Sequence, residues 1–293
     1  MRKSKQKAEP MHTTFVSRRQ FLQCGAIATA LAATGKLPFL YAQSQAGSMV
    51  DASTGPHTVK PIRDHLRRFS PGTTPMHTSP QYSLAYDIIH WSWKAGKRGT
   101  FSNSVVGRII INRKAAESKV IFEISQRMRI GGVDNHLKAN VTCNTNEWSS
   151  LREWTLHSYH SSPEGKPEPR SKLAEKGRCN GKQIRIESRK YDYGFNAENP
   201  VVTQWTFLDF LIRKANQALN VKFDLLQDLS LFKPDQSLIY DGLTPVTLKD
   251  GKTITLQTYA HTGPGVLPIH YLLDDRGWPQ LVTSSILSWA LSG

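Results

Sequence analysis

The chain has 293 residues, of which 39% are hydrophobic, and it carries a formal net charge of +15. This length and hydrophobic fraction are ample for a folded core, which argues against a wholly disordered chain. Lysines and arginines are scattered along the sequence rather than gathered into a dense basic block with interleaved aromatic residues. This distribution argues against nucleic-acid recognition.

The N-terminus combines paired arginines with a soft apolar stretch. Arg18 and Arg19 precede Phe21 and Leu22, and an alanine-rich run follows Cys24. This pattern resembles a twin-arginine export signal. The resemblance implies that the twin-arginine export machinery is a partner and that the folded protein is periplasmic or extracellular.

A membrane anchor is the alternative interpretation of the same segment. Gly35, Lys36 and Pro38 interrupt the apolar run, whereas a spanning helix needs about 20 mostly apolar residues. Small residues suited to a signal peptidase follow, which predicts cleavage near Ser44 or Ala46. No later segment is long and apolar enough to span a membrane, so we expect no transmembrane segment in the mature chain.

Removal of the predicted signal peptide, residues 1–46, lowers the net charge. This segment holds seven of the 38 Lys and Arg and one of the 23 Asp and Glu, which leaves +9. A basic mature chain favours acidic partners such as anionic lipid headgroups, although charge that only maintains solubility is an alternative. Residues 47–80, rich in Pro, Gly, Ser and Thr, are typical of an extended leader.

From Gln81 onward the sequence alternates with the period of two that half-buried strands show. In the clearest case Phe122 and Ile124 fall on one side of a strand and Arg127 and Arg129 on the other. Gly131-Gly132 predicts a hairpin turn after it. We predict about nine or ten strands, in the segments 82–93, 118–130, 137–143, 151–160, 184–190, 238–248, 253–261, 266–274 and 281–291.

Two segments depart from this alternation. Residues 161–181 are polar and rich in proline, which predicts an exposed loop. In residues 201–219, Trp205, Leu208 and Ile212 recur at spacings of three and four, which predicts an amphipathic helix. Residues 81–293 are therefore predicted to form one mainly β domain, a strongly curved antiparallel sheet or half-barrel wrapped around that helix.

This predicted layout, together with the closing segment 268–279, resembles uncharacterised exported proteins related in shape to bacterial lipoprotein carriers. The resemblance implies a non-enzymatic carrier or sensor of an apolar or lipid-like ligand. Trp205, Leu208 and Ile212 would then contact the ligand first, and Arg127 or Arg129 would meet an anionic headgroup at the rim. The chain departs from the family pattern because it lacks a clear lipid-attachment cysteine.

Cys143 and Cys179 remain in the mature chain, where either a disulfide or two free thiols would fit the sequence. Among the histidines, His261 and His270 lie on adjacent predicted strands and could face each other, with Asp274 nearby. A zinc site needs a further ligand that the sequence does not offer. We therefore predict neither a metal nor a cofactor.

The sequence contains no motif that names a reaction. The mature chain has no Gly-x-Ser-x-Gly nucleophile elbow and no glycine-rich phosphate-binding loop. A binding role is therefore favoured over an enzymatic one. Two alternatives remain open: a hydrolase with an unrecognised His/Asp/Ser site, and a scaffold component of an envelope complex.

Overall fold

A computed structural model describes residues 75–93, 101–162, 164–189, 191–247, 251–284 and 287–292. The predicted signal peptide, with Arg18 and Arg19, and residues 47–74 of the predicted leader lie outside the described residues. At the end of that leader, a short 3-10 helix covers Met76–Thr78, and the backbone N–H of Met76 donates to the carbonyl of Arg276.

The described chain folds into strands with one α-helix, α1, which covers Phe207–Arg213. The first eight strands are β1 (Gln81–Trp93), β2 (Phe101–Ala116), β3 (Lys119–Ile130), β4 (Val133–Cys143), β5 (Leu151–Ser161), β6 (Leu173–Asn180), β7 (Gln183–Ser188) and β8 (Asp192–Asn196). The others are β9 (Val201–Val202), β10 (Asn220–Gln227), β11 (Leu231–Thr247), β12 (Thr253–Thr262), β13 (Ile269–Leu273), β14 (Pro279–Thr283) and β15 (Leu287–Leu291).

All fifteen strands belong to one sheet, in the order β8-β7-β6-β5-β4-β3-β2-β1-β15-β14-β13-β12-β11-β10-β9. Every pair is antiparallel except β9 with β10. The last strand pairs with the first, so β1 and β15 lie side by side in the middle of the sheet. The prediction of a mainly β, antiparallel domain is confirmed, although the sheet has more strands than the alternation indicated.

One face of the sheet, here called the inner face, carries the main hydrophobic core. Register partners on neighbouring strands point to the same face of a sheet, so a row of directly opposed residues marks the inner face. Across β1 to β8 this row consists of Tyr82, Arg113, Phe122, Val141, Trp154, Gly177, Ile186 and Tyr193. A smaller apolar cluster that includes Leu272, Leu281 and Ala290 lies on the opposite, outer face.

The predicted hairpin turn at Gly131-Gly132 is confirmed. It joins β3 to β4, and the two glycines have φ values of 62° and 78°. Side chains with a Cβ avoid this left-handed region, whereas glycine enters it without steric cost.

The polar segment 161–181 is not a simple loop, and this prediction was wrong. It contains a 3-10 helix at Pro169–Ser171 and then β6, which pairs with both β5 and β7. The alternation was hidden because the inward positions of β6 include Glu175 and Gly177 rather than large apolar residues. A buried acid and a glycine do not give the hydrophobic signal of a strand.

The predicted helix at 201–219 is much shorter in the structure. Residues 201 and 202 form β9, and α1 extends only from Phe207 to Arg213. Its residues Phe207 to Ile212 are all buried, so α1 lacks the exposed polar face of an amphipathic helix. Past its end, Asn216 adopts a φ of 68°, which a helix cannot accommodate.

Candidate functional site

The three predicted ligand contacts at α1 are fully enclosed by the protein. Trp205 and Leu208 have no exposed surface, and Ile212 is 1% exposed. The indole N–H of Trp205 is buried and has no hydrogen-bond partner among the described residues. In this conformation a ligand cannot reach these side chains from solvent.

A tight turn before α1 sets the direction of the helix. The Thr203 hydroxyl oxygen accepts from the backbone N–H groups of Trp205 and Thr206, at 3.2 and 3.0 Å. In return, the Thr206 hydroxyl oxygen accepts from the N–H of Thr203 at 3.0 Å. Threonine hydroxyls satisfy local backbone donors in this way at turns and helix starts.

Aromatic rings fill the space around α1. Phe207 stacks on Phe223 of β10 with ring centroids 4.3 Å apart, and it meets the edge of Tyr271 of β13 at 5.6 Å. Phe210 stacks on Trp148, in the loop between β4 and β5, at 4.1 Å. These contacts connect α1 to both halves of the sheet, on either side of β1 and β15.

A carboxylate lies in the middle of this apolar helix. The Asp209 Oδ1 atom is 2.9 Å from Nε of Arg113, and Oδ2 is 2.9 Å from a terminal nitrogen of Arg213. Tyr82 and Ser149 donate hydrogen bonds to the same carboxylate at 3.1 and 2.6 Å. Two cations and two hydroxyl donors thus surround the buried carboxylate, which ties α1 to β1, β2 and the loop between β4 and β5.

The two arginines predicted to bind a headgroup lie on the opposite face of the sheet from α1. Arg127 and Arg129 occupy odd positions of β3, opposite to Phe122, and therefore lie on the outer face. Both bind the buried carboxylate of Asp134, at 2.7 and 2.6 Å. These hydrogen bonds, first from Arg129 and then from Arg127, hold the pKa of Asp134 well below its usual range. The structure therefore does not bring the arginines together with Trp205, Leu208 and Ile212.

The same corner of the outer face holds a serine and a histidine in contact. The His136 Nε2 atom is 2.9 Å from the Ser161 hydroxyl oxygen, and the ring of His136 stacks on Tyr159 at 4.5 Å. Burial, and then the charge of Arg127, lower the pKa of His136. Ser161 itself is buried, and both oxygens of Asp134 are occupied by arginines. Asp134 therefore does not orient His136 as the acid of a catalytic triad does.

The histidine pair considered for a metal is separated by the sheet. His261 is the register partner of Ile269, whereas His270 is the partner of Ala260, so the two rings are on opposite faces. His261 is buried and contacts Gln236 and Tyr271. Within the described ranges, no group of three or more His, Cys, Asp or Glu residues is arranged to hold a metal ion.

Cys143 and Cys179 are both free thiols. Cys143 is on β4 and Cys179 on β6, and β5 lies between them. Two such strands are about 9.6 Å apart, beyond the separation of about 4.4–6.8 Å that a disulfide allows between Cα atoms. Burial raises the pKa of Cys143 well above its ordinary value and that of Cys179 to about 12, so neither is an activated nucleophile.

The edge strand β8 and its neighbour β6 contact the other half of the sheet through side chains, at β11 and at the turn between β10 and β11. The Tyr193 hydroxyl on β8 donates to the carbonyl of Ser230 at 3.2 Å, and Phe195 stacks on Phe232 with centroids 5.0 Å apart. The Ser230 hydroxyl donates to Glu175 on β6 at 2.9 Å. These five residues are here called the seam. Among the described strands, β8 and β9 are the ends of the sheet and share no ladder.

A separate cleft of about 260 Å³, which none of the seam residues lines, opens near one end of β5 and β6. Its walls come from the loop between β4 and β5, the turn between β6 and β7, and the chain entering β9. The lining residues are Asn144, Ser150, Leu151, Cys179, Gly181, Lys182, Asn199, Pro200 and Val201. Sequence analysis missed this cleft because its walls come from three separate segments that the strand pattern cannot place together.

No helix in the described parts of the chain combines the length and the apolar character that crossing a membrane requires. No protein-family model matches the chain, and no curated protein matches it. Among solved structures, it is similar to the crystal structure of a DUF1089 family protein from Pseudomonas aeruginosa. That similarity has 13% identity and a TM-score of 0.34, and it covers 64% of this chain and 93% of the other. A TM-score this low carries no argument about fold or function.

Proposed function

We propose that this protein is an exported, non-enzymatic carrier or sensor of an amphipathic, lipid-like ligand in the cell envelope. The observation that supports the proposal is the seam. An apolar inner face runs along the curved sheet, and the edge strand β8 contacts β11 and the turn before it through side chains rather than through main-chain hydrogen bonds. Such an edge contact can part without the loss of any ladder hydrogen bond.

In this proposal the sheet wraps around α1 and the ligand enters by parting the seam. Trp205, Leu208 and Ile212 are at most 1% exposed, so they would contact the apolar part of the ligand only after the seam opens. Arg127 and Arg129 face outward, and 62% and 50% of their side-chain surface is exposed to solvent. They would serve the encounter with an anionic membrane surface rather than the enclosed ligand.

Two measurements test whether the protein carries a lipid. The mature chain is purified from its own envelope and examined by native mass spectrometry, and its binding of a fluorescent fatty acid is titrated. We expect a copurified amphiphile in the first measurement and saturable binding in the second. If no lipid copurifies and the fatty-acid probe does not bind, the carrier proposal is wrong.

A second experiment tests the role of the seam. Phe195→Cys and Phe232→Cys, introduced after Cys143 and Cys179 are replaced by serine, are bridged across the seam with a short bis-maleimide. The matched control bridges Arg185→Cys to Asp192→Cys, which lie on neighbouring strands β7 and β8 on one side of the seam. We expect the bridged seam to block probe uptake and the control bridge to leave it unchanged. Equal uptake by both bridged proteins would contradict entry at the seam.

Export rests on the N-terminal arginines. Replacement of Arg18 and Arg19 by lysine should retain the protein in the cytoplasm, because twin-arginine signals are recognised through that pair. Cell fractionation measures the location, and N-terminal sequencing of the exported wild-type protein should find cleavage near Ser44 or Ala46. Export of the double-lysine variant at the wild-type level would contradict the proposal.

The hydrolase alternative has one specific contact in its favour, the hydrogen bond between His136 and Ser161. A broad covalent serine-hydrolase probe tests it directly. Labelling of the wild-type protein that disappears in Ser161→Ala would favour the hydrolase. Absence of labelling, in a preparation that binds the fatty-acid probe, would favour the carrier.

A further inference from the structure

The cleft between the β4–β5 loop, the β6–β7 turn and the chain entering β9 combines buried apolar residues with more exposed polar ones. Leu151 and Val201, which are both buried, and the half-buried Cys179 are among its lining residues. Cys143, the register partner of Leu151, lies beside it on the same face of the sheet and is fully buried. Lys182, whose side chain is 69% exposed, and the half-buried Ser150 are the more exposed polar lining residues, and the side of the cleft that they form is here called the mouth.

The polar groups at the mouth can be redirected to a ligand. The Lys182 ammonium pairs with Glu198 at 2.7 Å, but both side chains are more than two-thirds exposed. An exposed pair of this kind contributes only about 0–1 kcal/mol, so it competes weakly with a ligand anion. The Ser150 hydroxyl oxygen accepts from Asn144 and Asn146, at 3.0 and 2.8 Å. Its own hydrogen has no acceptor among the described residues and is available to a ligand.

The volume limits the ligand. Sites for drug-sized molecules have volumes of about 300–1,000 Å³, and this cleft, at about 260 Å³, is smaller. It therefore has room for one acyl chain segment and not for a two-chain lipid. A cation and a hydroxyl donor at the mouth suit a carboxylate head.

We infer that this cleft binds a single-chain amphiphile with a carboxylate head, with its chain directed over Leu151 and Val201 and its head at Lys182 and Ser150. The inference rests on the proposed carrier function and names the cleft, rather than the seam itself, as the place where the ligand is held. The end of the ligand's acyl chain would then lie toward the buried Cys143 and the core of the sheet.

The test uses the mature chain and dansyl-labelled undecanoic acid, with dodecanoate and dodecanol as competitors. We expect dodecanoate to displace the probe about tenfold better than dodecanol, because one charge-assisted hydrogen bond provides roughly 1.4 kcal/mol. In Lys182→Gln this preference should fall to less than about threefold. The matched control, Lys176→Gln, removes an exposed lysine on the outer face of β6 and should keep the full preference.

A second measurement needs no substitution. Alkylation of Cys179 by a small maleimide is followed by mass spectrometry with and without dodecanoate. We expect dodecanoate to slow the labelling of Cys179 at least fivefold. Dodecanol at equal occupancy should also slow it, because the chain covers the thiol.

The outcomes separate this inference from the carrier proposal. If the probe binds, but Lys182→Gln behaves like wild type and Cys179 is labelled at an unchanged rate, the ligand is held elsewhere and the inference is overturned while the carrier proposal stands. If the probe does not bind at all, the carrier proposal fails and the inference fails with it.

Discussion

The Asp209 carboxylate on α1 and the Arg113 guanidinium on β2 form an ion pair with almost no exposed side-chain surface on either partner. Arg113 also donates to the carbonyl of Pro80 at 2.7 Å and lies over the ring of Tyr82, 5.7 Å from its centroid. One guanidinium thus fixes the helix, the first strand and the end of the leader together.

Replacement of Asp209 by asparagine should destabilise the fold by about 3–5 kcal/mol, because it leaves the buried Arg113 without its countercharge. The free energy of unfolding, measured by urea denaturation of the mature chain, reports the loss. The matched control is Asp235→Asn, which breaks the exposed pair with Lys222 and should cost at most about 1 kcal/mol. A similar, small cost for both variants would contradict a stabilising role for the buried pair.

The indole ring of Trp154 on β5 leaves no room for a side chain at Gly177 on β6. A Cβ added at Gly177 would lie 2.1 Å from Cζ2 of the indole, far inside van der Waals contact. We expect Gly177→Ala to destabilise the protein by about 1–3 kcal/mol through overpacking.

A double-mutant cycle separates this clash from a general preference for glycine. Trp154→Phe removes the benzo ring that a Cβ at position 177 would strike, and the indole N–H has no partner among the described residues to lose. In the Trp154→Phe background, Gly177→Ala should therefore cost at least about 1 kcal/mol less than in the wild type. Strictly additive effects in urea denaturation would rule out the clash as the cause.

The sequence predicted strands well where charge and apolar residues alternate strictly, as in β3. It missed β2, where Ile109, Ile110 and Ile111 form a continuous apolar run although only alternate residues face the core. It also missed β6, where the inward positions hold an acid and a glycine. Periodicity detects only the contrast between two faces, so strands with little contrast are invisible to it.

The helix and the site show a second limit. The spacing of Trp205, Leu208 and Ile212 correctly indicated a local helix, but not that all its sides would be buried. Asp209, set between two apolar neighbours, was the signal of a buried ion pair. Its partner Arg113 could not be identified from sequence because strand register decides which distant cation reaches it.

The thiols give a direct check on the cysteine geometry. Denatured, unreduced mature protein should titrate as two free thiols, because β5 separates Cys143 from Cys179. In the native protein Cys179 should react slowly and Cys143 more slowly still, since burial raises the pKa of both. Intact mass after alkylation measures both quantities, with Cys179→Ser as the control that should retain one thiol. A mass showing no alkylation after denaturation would reveal a disulfide.

His261 should make the fold sensitive to acid. Its Nε2 atom lies 3.0 Å from Oε1 of Gln236, which accepts a hydrogen bond, and its Nδ1 atom lies 3.4 Å from the hydroxyl oxygen of Tyr271, which can donate to the neutral ring. Burial, and then the charge of Lys233, lower the pKa of His261 to about 3. In the unfolded chain a histidine has a pKa of about 6.5.

Between these two pKa values the unfolded chain binds a proton at His261 that the folded protein does not. The free energy of unfolding should therefore decrease as pH falls from about 6.5 toward 3, by up to roughly 1.4 kcal/mol per pH unit from this residue. The variant His261→Gln cannot bind this proton, so its free energy of unfolding lacks this pH dependence. The difference in free energy of unfolding between wild type and variant, measured by urea denaturation at pH 7.5, 6, 5 and 4, should therefore shrink at each lower pH. Other acid-sensitive groups, such as His270 and Asp134, remain in both proteins and cancel in the difference. A difference that stays constant over this range would show that His261 is not held neutral in the fold.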